Sequence, residues 1–362
     1  MTIDPYVTFF DSGLTPTLES LGGKCASLVT MTAAGMPVPP GFAVTTAAYL
    51  EFAESSGLTA KISSSLAHLD ADNVVAVDSV SASIRDRIRS CPVPAHIRAS
   101  VIDAYESLQA RFSAPAPVAV RSSATAEDLP GASFAGQQDT YLWLNGLESV
   151  LEHIRACWAS LYTSRAIIYR LANDIPDDEL AMAVAVQKMV NSRASGVAMT
   201  INPTTGDRSK ITIDASYGVG EMVVSGLVTP DNIVVDKVML SIVDERIGAK
   251  HAELIPDSVT GRLIEHDVEA DRRTRRSISD DEVVAVATMA KRAEKHYGCP
   301  QDVEWAIDRD LPPGQDLLLL QARPETVHSA KSMAAAAAAP ATSGPATGFM
   351  SSITSSLTNR KN

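Results

Sequence analysis

The chain has 362 residues, 45% of them apolar and 20% charged, with a formal net charge of −12. That length suffices for two lobes with cores of their own, and the acidic balance argues against a nucleic-acid-binding surface. The four cysteines, Cys25, Cys91, Cys157 and Cys299, stand far apart with no CxxC pair, so neither a zinc site nor a disulfide framework is signalled and reduced thiols in the cytoplasm are expected.

The N-terminal MTIDPYVTFFDSG has no basic n-region and no apolar h-region, so no signal peptide is evident. No apolar run approaches the ~18 residues of a membrane helix. YVTFF (6–10) reads as a strand. Leu21-Gly22-Gly23-Lys24 leads into CASLVTMTAAG, an apolar-periodic helix stopped by Gly35. Lys24 thus sits in a glycine turn at a helix start, where a cation opposes the dipole unless an anion shares the site. A solvated lysine near a helix end is the alternative. Cys25 reads as a small buried helix residue. PVPPGFAVTTAAYL gives a proline turn, a strand and a helix. Residues 57–114 hold three helical stretches, KISSSLAHL, VVAVDSVSASIRDRI and PAHIRASVIDAYESLQARF, with the character of a scaffold.

From Val118 to Trp143 the sequence is VAVRSSATAEDLPGASFAGQQDTYLW: a strand, a polar loop and a second strand. The loop carries Ser122, Ser123, Thr125, Gly131, Ser133 and Gly136, whose amides and hydroxyls can approach an anion closely. Arg121 at its mouth adds a bidentate cation, an arrangement that suits a polyphosphate. On composition alone, a surface hairpin with ordinary turn residues fits equally well. LESVLEHIRACWASLYTSRAIIYRLAN (147–173) gives two helices, and ELAMAVAVQKMV (179–190) a buried strand.

From Ser195 the pattern turns β-rich, with SGVAMTIN, SKITIDAS, NIVVDK, MLSIVDE and GRLIEHD as short strands. Tyr217-Gly-Val-Gly-Glu221 is a loop between two of them. The basic run DRRTRRSIS (271–279) reads as an exposed loop, with a partner-docking patch as the minor option. It precedes the helix DDEVVAVATMAKRAEKHYG. QDVEWAIDRD and DLLLLQARPET then form two strands joined by a Pro/Gly turn. Period two puts Asp302 and Glu304 on one face, and Gln321 and Arg323 on one face. If those faces coincide, a hard-cation site beside a phosphate results; a structural Glu304–Arg323 salt bridge is the alternative. Residues 329–362 are an Ala/Ser/Thr-rich tail, expected to be disordered.

RSSATAEDLPGASFAGQQDT resembles the ATP-loop signature of the dikinase family of phosphoenolpyruvate synthase, pyruvate phosphate dikinase and rifampicin phosphotransferase. The likeness runs from about Leu21 to Thr326 and includes YGVGE, DVEWA and LQARPET. It implies an α+β, ATP-grasp-like fold with magnesium and ATP held between two lobes. The first lobe would be residues 1–190, with the helical insert 57–114 and the hairpin 118–143; the second would be the β-rich 191–328. Lys24 would be the polyphosphate lysine, acting with Arg121 and Arg323 on the transferred phosphates. Gly136 and Thr140 of the signature would bind the nucleotide. Gln187 would contact it, and backbone groups near Met189 and Val190 would read the adenine edge. Glu304 and Gln321 would ligate Mg2+. Glu221 would be structural or near the site.

Full-length dikinases carry a phosphohistidine motif, a Thr/Ser-His pair after glycines, and none of the seven histidines has that context. The expectation is a stand-alone nucleotide-binding subunit whose partner supplies the phosphohistidine domain and the acceptor site. ATP would phosphorylate the partner's histidine, and AMP and phosphate would leave. Separate subunits resemble phenylphosphate synthase and the aryl or benzyl phosphate synthases, which makes a phenol or aromatic alcohol the leading acceptor. The alternatives are the ATP-binding part of a phosphoenolpyruvate synthase, a rifampicin-phosphotransferase-like enzyme, and a non-catalytic ATP-sensing subunit.

Overall fold

Alternating apolar residues in two separate parts of the chain build two antiparallel sheets. In the computed structural model, residues 4–125, 139–173, 175 and 180–325 are described. The first part contains β1 (Val7–Phe9), α1 (Leu18–Ala33), β2 (Gly41–Val44), α2 (Thr46–Ser55), α3 (Leu58–Leu66), α4 (Val74–Ser90) and α5 (Ala95–Gln109). It continues with β3 (Val118–Ala124), β4 (Thr140–Leu144), α6 (Leu147–Ser160), α7 (Ser164–Ala172) and β5 (Met182–Lys188). The second part contains β6 (Ser192–Met199), β7 (Lys210–Tyr217), α8 (Glu221–Val224), β8 (Asp231–Asp236), β9 (Ile242–Arg246) and β10 (Ala252–Asp257). After these come β11 (Arg262–Asp267), α9 (Ala270–Arg273), α10 (Asp280–Tyr297), β12 (Gln301–Asp308) and β13 (Leu317–Pro324).

The first sheet has the order β1-β2-β5-β3-β4. Strict alternation gives it two different faces. Phe42, Val44, Val118, Val120, Val184 and Val186 point into a core shared with α2 to α7. Ala43, Ala183 and Ala185 point the other way, against Cys25, Leu28 and Val29 of α1. The alanines let α1 lie close to the sheet. Trp158, fully buried, stacks on Phe52 at 4.8 Å in the helical layer.

The second sheet has the order β13-β12-β6-β7-β8-β9, all antiparallel. Ile211, Ile213, Ile233, Val303, Trp305 and Ile307 pack one face against α10. Ser279 starts α10 with a full capping box to Glu282, and Gly298 ends it at φ 71. Met31 and Met36, at the end of α1 and just beyond, belong to this second core, so α1 contributes to both. Among the described residues no helix is long and apolar enough to cross a membrane, and all four cysteines are free.

Two expectations need correction. AELIPD, not among the strands read from the sequence, is strand β10 and pairs with β11 from Ala252↔Asp267 to Asp257↔Arg262. The basic run, read as an exposed loop, lies at the surface but is in part the short helix α9 and is held by ion pairs. Arg272 pairs with Glu253 and Glu269, Arg275 with Asp271, and Arg276 with Glu245 and Asp280. The Arg272 guanidinium also lies 4.3 Å over the Tyr217 ring. Two of the acids that tie this run down, Glu245 and Glu253, are distant in sequence, and a local reading does not find them. Gly131, Ser133 and Gly136 of the hairpin loop, and the 329–362 tail, lie outside the described residues.

Candidate functional site

A cleft of about 300 Å3 lies between the inner faces of the two sheets, at the lower end of the size range of small-molecule sites. Nine of the ten residues singled out from the sequence line it: Lys24, Arg121, Thr140, Gln187, Met189, Val190, Glu304, Gln321 and Arg323. The tenth, Gly136, lies outside the described residues.

The wall from the first sheet follows from strand alternation. Ala119 and Arg121 share the β3 face opposite to Val118 and Val120, and both line the cleft. In β4, Thr140 and Leu142 do the same. Register here slips between Val118↔Leu144 and Val120↔Tyr141, so β4 carries a bulge. Trp143 sits in it at φ 58, a conformation bulky side chains avoid; bulges of this kind re-aim neighbouring side chains beside sites.

Lys24 reaches the cleft because α1 is broken just before it. Gly22, at φ 62 and ψ 178, interrupts the helix, so a fresh helical start falls at Lys24. A Cβ on Gly22 would stand 2.2 Å from the Ser123 carbonyl oxygen. The Ser123 hydroxyl accepts from the Cys25 amide at 3.0 Å and donates to the Leu21 carbonyl at 2.8 Å. It therefore bridges the break in α1 and is not available to an anion. Ser122 Oγ donates to the Asp139 carbonyl at 3.3 Å and Thr125 Oγ1 to the Ala181 carbonyl at 3.2 Å. Of the hydroxyl cradle read from the sequence, the three described members are thus engaged by backbone. Behind this wall, burial pushes the Cys157 thiol up, which makes it inert as a nucleophile.

Between the sheets runs the segment 188–192. The Met189 amide donates to the Pro117 carbonyl at 2.8 Å, which removes it from the groups able to read a base edge. The Met189 carbonyl and the Val190 amide have no partner among the described residues. Gln187 is 2% exposed and its amide nitrogen donates to the Pro39 carbonyl at 3.3 Å, so that nitrogen is not offered to a ligand. Lys188, not singled out from the sequence, lines the cleft and pairs with the buried Asp308 at 2.9 Å. Apolar surface at this end comes from Ala119, Leu142, Val219, Val224 and Leu320.

The wall from the second sheet is the β12–β13 hairpin. Asp302 lies opposite Arg323 and Glu304 opposite Gln321. The two faces do coincide. Register then shifts so that Trp305 lies opposite Leu319, leaving Leu320 as the extra bulge residue. Leu320 and Gln321 consequently both line the cleft while Leu319 and Ala322 stay in the core. The carboxylate that Arg323 engages is Asp302, at 2.8 and 3.0 Å, and not the Glu304 offered by the alternative reading. Glu304 instead meets Arg121 across the cleft at 3.4 Å. Glu221, with Val219 and Gly220, closes the cleft from the adjoining loop.

This donor set fits a magnesium–polyphosphate. Lys24, Arg121 and Arg323 supply positive charge from three elements. Glu304 and Gln321 supply two hard oxygen donors side by side. Asp302 Oδ1 is buried with no partner among the described residues, and burial raises the Asp302 carboxyl above its usual range despite Arg323. An orphaned carboxylate oxygen next to Glu304 is what a divalent cation would satisfy. Asp302 escaped the sequence selection although its face was read correctly, because a neutralised ion-pair partner and a metal neighbour look alike in sequence. No group of three His, Cys, Asp or Glu forms a complete cage among the described residues. Magnesium commonly takes one or two carboxylates and completes its shell with water and phosphate oxygens.

The chain is similar in sequence to known proteins. Among solved structures, D-cycloserine synthetase DcsG matches 83% of this chain and 62% of its own at 14% identity, with a TM-score of 0.27 that supports no argument. A probable phosphoenolpyruvate synthase of Staphylothermus marinus is 41% identical over 348 residues, 90% of this chain and 42% of the relative. Its counterpart in Methanothermobacter thermautotrophicus is 43% identical over 322 residues, 89% of this chain and 46% of the relative. The phosphoenolpyruvate synthase of Aeropyrum pernix is 42% identical over 352 residues, 89% of this chain and 42% of the relative. The chain spans less than half the length of these relatives. The family model described as pyruvate phosphate dikinase, AMP/ATP-binding domain, matches residues 18–343. The residues that converge on the cleft come from within that match, and the chain belongs to the pyruvate phosphate dikinase AMP/ATP-binding domain family.

Proposed function

We propose that this chain is the ATP-binding component of a dikinase-type phosphotransferase and that its cleft holds magnesium-ATP in an ATP-grasp-like arrangement of two lobes, 1–190 and 191–328. The observation that carries the reading is the convergence of Lys24, Arg121, Glu304, Gln321 and Arg323, from distant parts of the sequence, on one cleft. When bound, magnesium-ATP supplies the transferable phosphoryl group. Glu304 and Gln321, with Asp302 beside them, would hold the metal. Lys24, Arg121 and Arg323 would neutralise and orient the phosphates, the main protein contribution to phosphoryl transfer. The Met189 carbonyl and Val190 amide would face the base.

Among the described residues, no histidine lines the cleft. The proposed acceptor of the first transfer is a histidine on a separate polypeptide, with AMP and phosphate released. ATP labelled at the β-phosphate tests this. Label should appear on a partner histidine only when both proteins are present. Stable label on this chain alone, or full turnover to AMP without a partner, would contradict it.

For the final acceptor we propose a phenol or aromatic alcohol, on the resemblance of a separate nucleotide-binding subunit to the aryl and benzyl phosphate synthases. A second reading, pyruvate, is favoured by relatives named as phosphoenolpyruvate synthases. AMP formation by the assembled enzyme with phenol, benzyl alcohol or pyruvate separates the two.

A further inference from the structure

Arg121 and Glu304 face each other across the cleft from different sheets. Arg121 comes from β3 and Glu304 from β12, and their nearest atoms, Nη1 and Oε2, are 3.4 Å apart. Their side chains are 14% and 25% exposed, so solvent screens them less than it screens a surface pair. The pairing is incomplete. Only Nη1 of the Arg121 fork engages Glu304, and Nε is buried with no partner among the described residues. Gln321, the cross-strand neighbour of Glu304, is neutral and cannot replace the guanidinium. The adjacent cation Arg323 is committed to Asp302.

Each member of the pair is suited to a ligand that the other member opposes. A cation on Glu304 meets the positive charge of Arg121, and an anion on Arg121 meets the negative charge of Glu304. Resting on the function proposed above, we infer that Arg121 and Glu304 are each other's stand-in ligands, so that divalent metal and polyphosphate bind as a coupled pair and each alone binds weakly. Metal alone must strip Glu304 from Arg121 and leave a guanidinium beside a cation. Polyphosphate alone must strip Arg121 from Glu304 and leave a carboxylate beside an anion. Together they exchange one ion pair for two, a carboxylate–metal contact and a guanidinium–phosphate contact that uses the free part of the fork. Linkage makes the coupling reciprocal.

Reciprocal gains of affinity test this, and a misfolded variant cannot imitate a gain. Binding of Mn2+ alone is read from the spectrum of the free ion, and binding of ATP is read by calorimetry with EDTA present. Arg121→Met should bind Mn2+ without nucleotide about tenfold more tightly than wild type, whereas Arg121→Lys, which keeps the charge, should stay within about twofold. Glu304→Gln should bind metal-free ATP about tenfold more tightly. Arg98→Met, which breaks an exposed pair with Glu148, should change neither affinity. A wild type that binds magnesium-ATP, with no gain in either cleft variant, overturns this inference and leaves the proposed function standing. A wild type that binds no nucleotide with or without metal overturns both.

Discussion

The two hairpins that wall the cleft, β3–β4 and β12–β13, use their polar residues in opposite ways. In β12–β13, Glu304, Gln321 and Arg323 all reach the cleft, and alternation alone puts them there. In β3, the small polar residues spend their hydroxyls on backbone. Ser122 is tied to Asp139, Ser123 to Leu21 and Cys25, and Arg121 is the polar β3 side chain among the described residues that lines the cleft. Polarity by itself therefore does not separate ligand contacts from architecture. Nor does burial: Ser122 and Ser123 are fully buried, but Gln187 and Gln321, which line the cleft, are only 2% and 7% exposed.

The largest expected effect breaks the functional hairpin. Arg323→Ala should lower turnover of the assembled enzyme by ~10³ or more, the scale of phosphate-clamping arginines, with little change in the melting temperature. Near-full activity would make the Arg323–Asp302 pair structural only.

The next effect falls on the architectural side. Gly22→Ala forces a side chain into a left-handed conformation and against Ser123. It should cost at least ~3 kcal/mol of stability by denaturant unfolding. An unchanged midpoint would mean that α1 does not need its break.

Ser123→Ala sharpens the comparison. It should cost about 1–2 kcal/mol, the value of a lost cap and buried hydrogen bond. Nucleotide affinity should stay within about twofold if the hydroxyl has no ligand. A tenfold loss of affinity without a loss of stability would return Ser123 to the phosphate cradle.

The smallest effect lies away from the cleft, at the edge of the second sheet. The Lys210 ammonium, with the Met239 and Val238 amides, lowers the Asp236 carboxyl from 3.8 to about 2. A depressed carboxyl contributes stability that is fully present above its unfolded value and is lost as pH falls towards 2. Asp236→Asn should therefore flatten the acid limb of a stability–pH curve between about pH 4 and pH 2 and leave the neutral region unshaped by this group. An unchanged acid limb would show that the pair is screened out in solution.

Much of the cleft was legible because its residues lie in elements whose local pattern is strong. The β12–β13 faces follow from period two, and the break inside α1 follows from the Gly-Gly-Lys turn, although α1 itself begins earlier, at Leu18 capped by Thr17. What could not be read depends on contacts remote in sequence. The Ser123 hydroxyl meets Cys25 across 98 positions, and Arg121 meets Glu304 across 183. Strand β10 contains Pro256 and acids, and pairing with β11 overrides that weak local preference. The bulge at Leu320 and the strained Trp143 likewise come from sheet register, which no local window contains.

Titration calorimetry of the chain with ATP, with and without magnesium, tests the central claim most directly. A single site per chain is predicted, tight with magnesium and markedly weaker in EDTA, with the magnesium-dependent binding lost in Glu304→Ala. No heat of binding in either condition, or binding indifferent to both magnesium and Glu304, would contradict a magnesium-ATP site in this cleft.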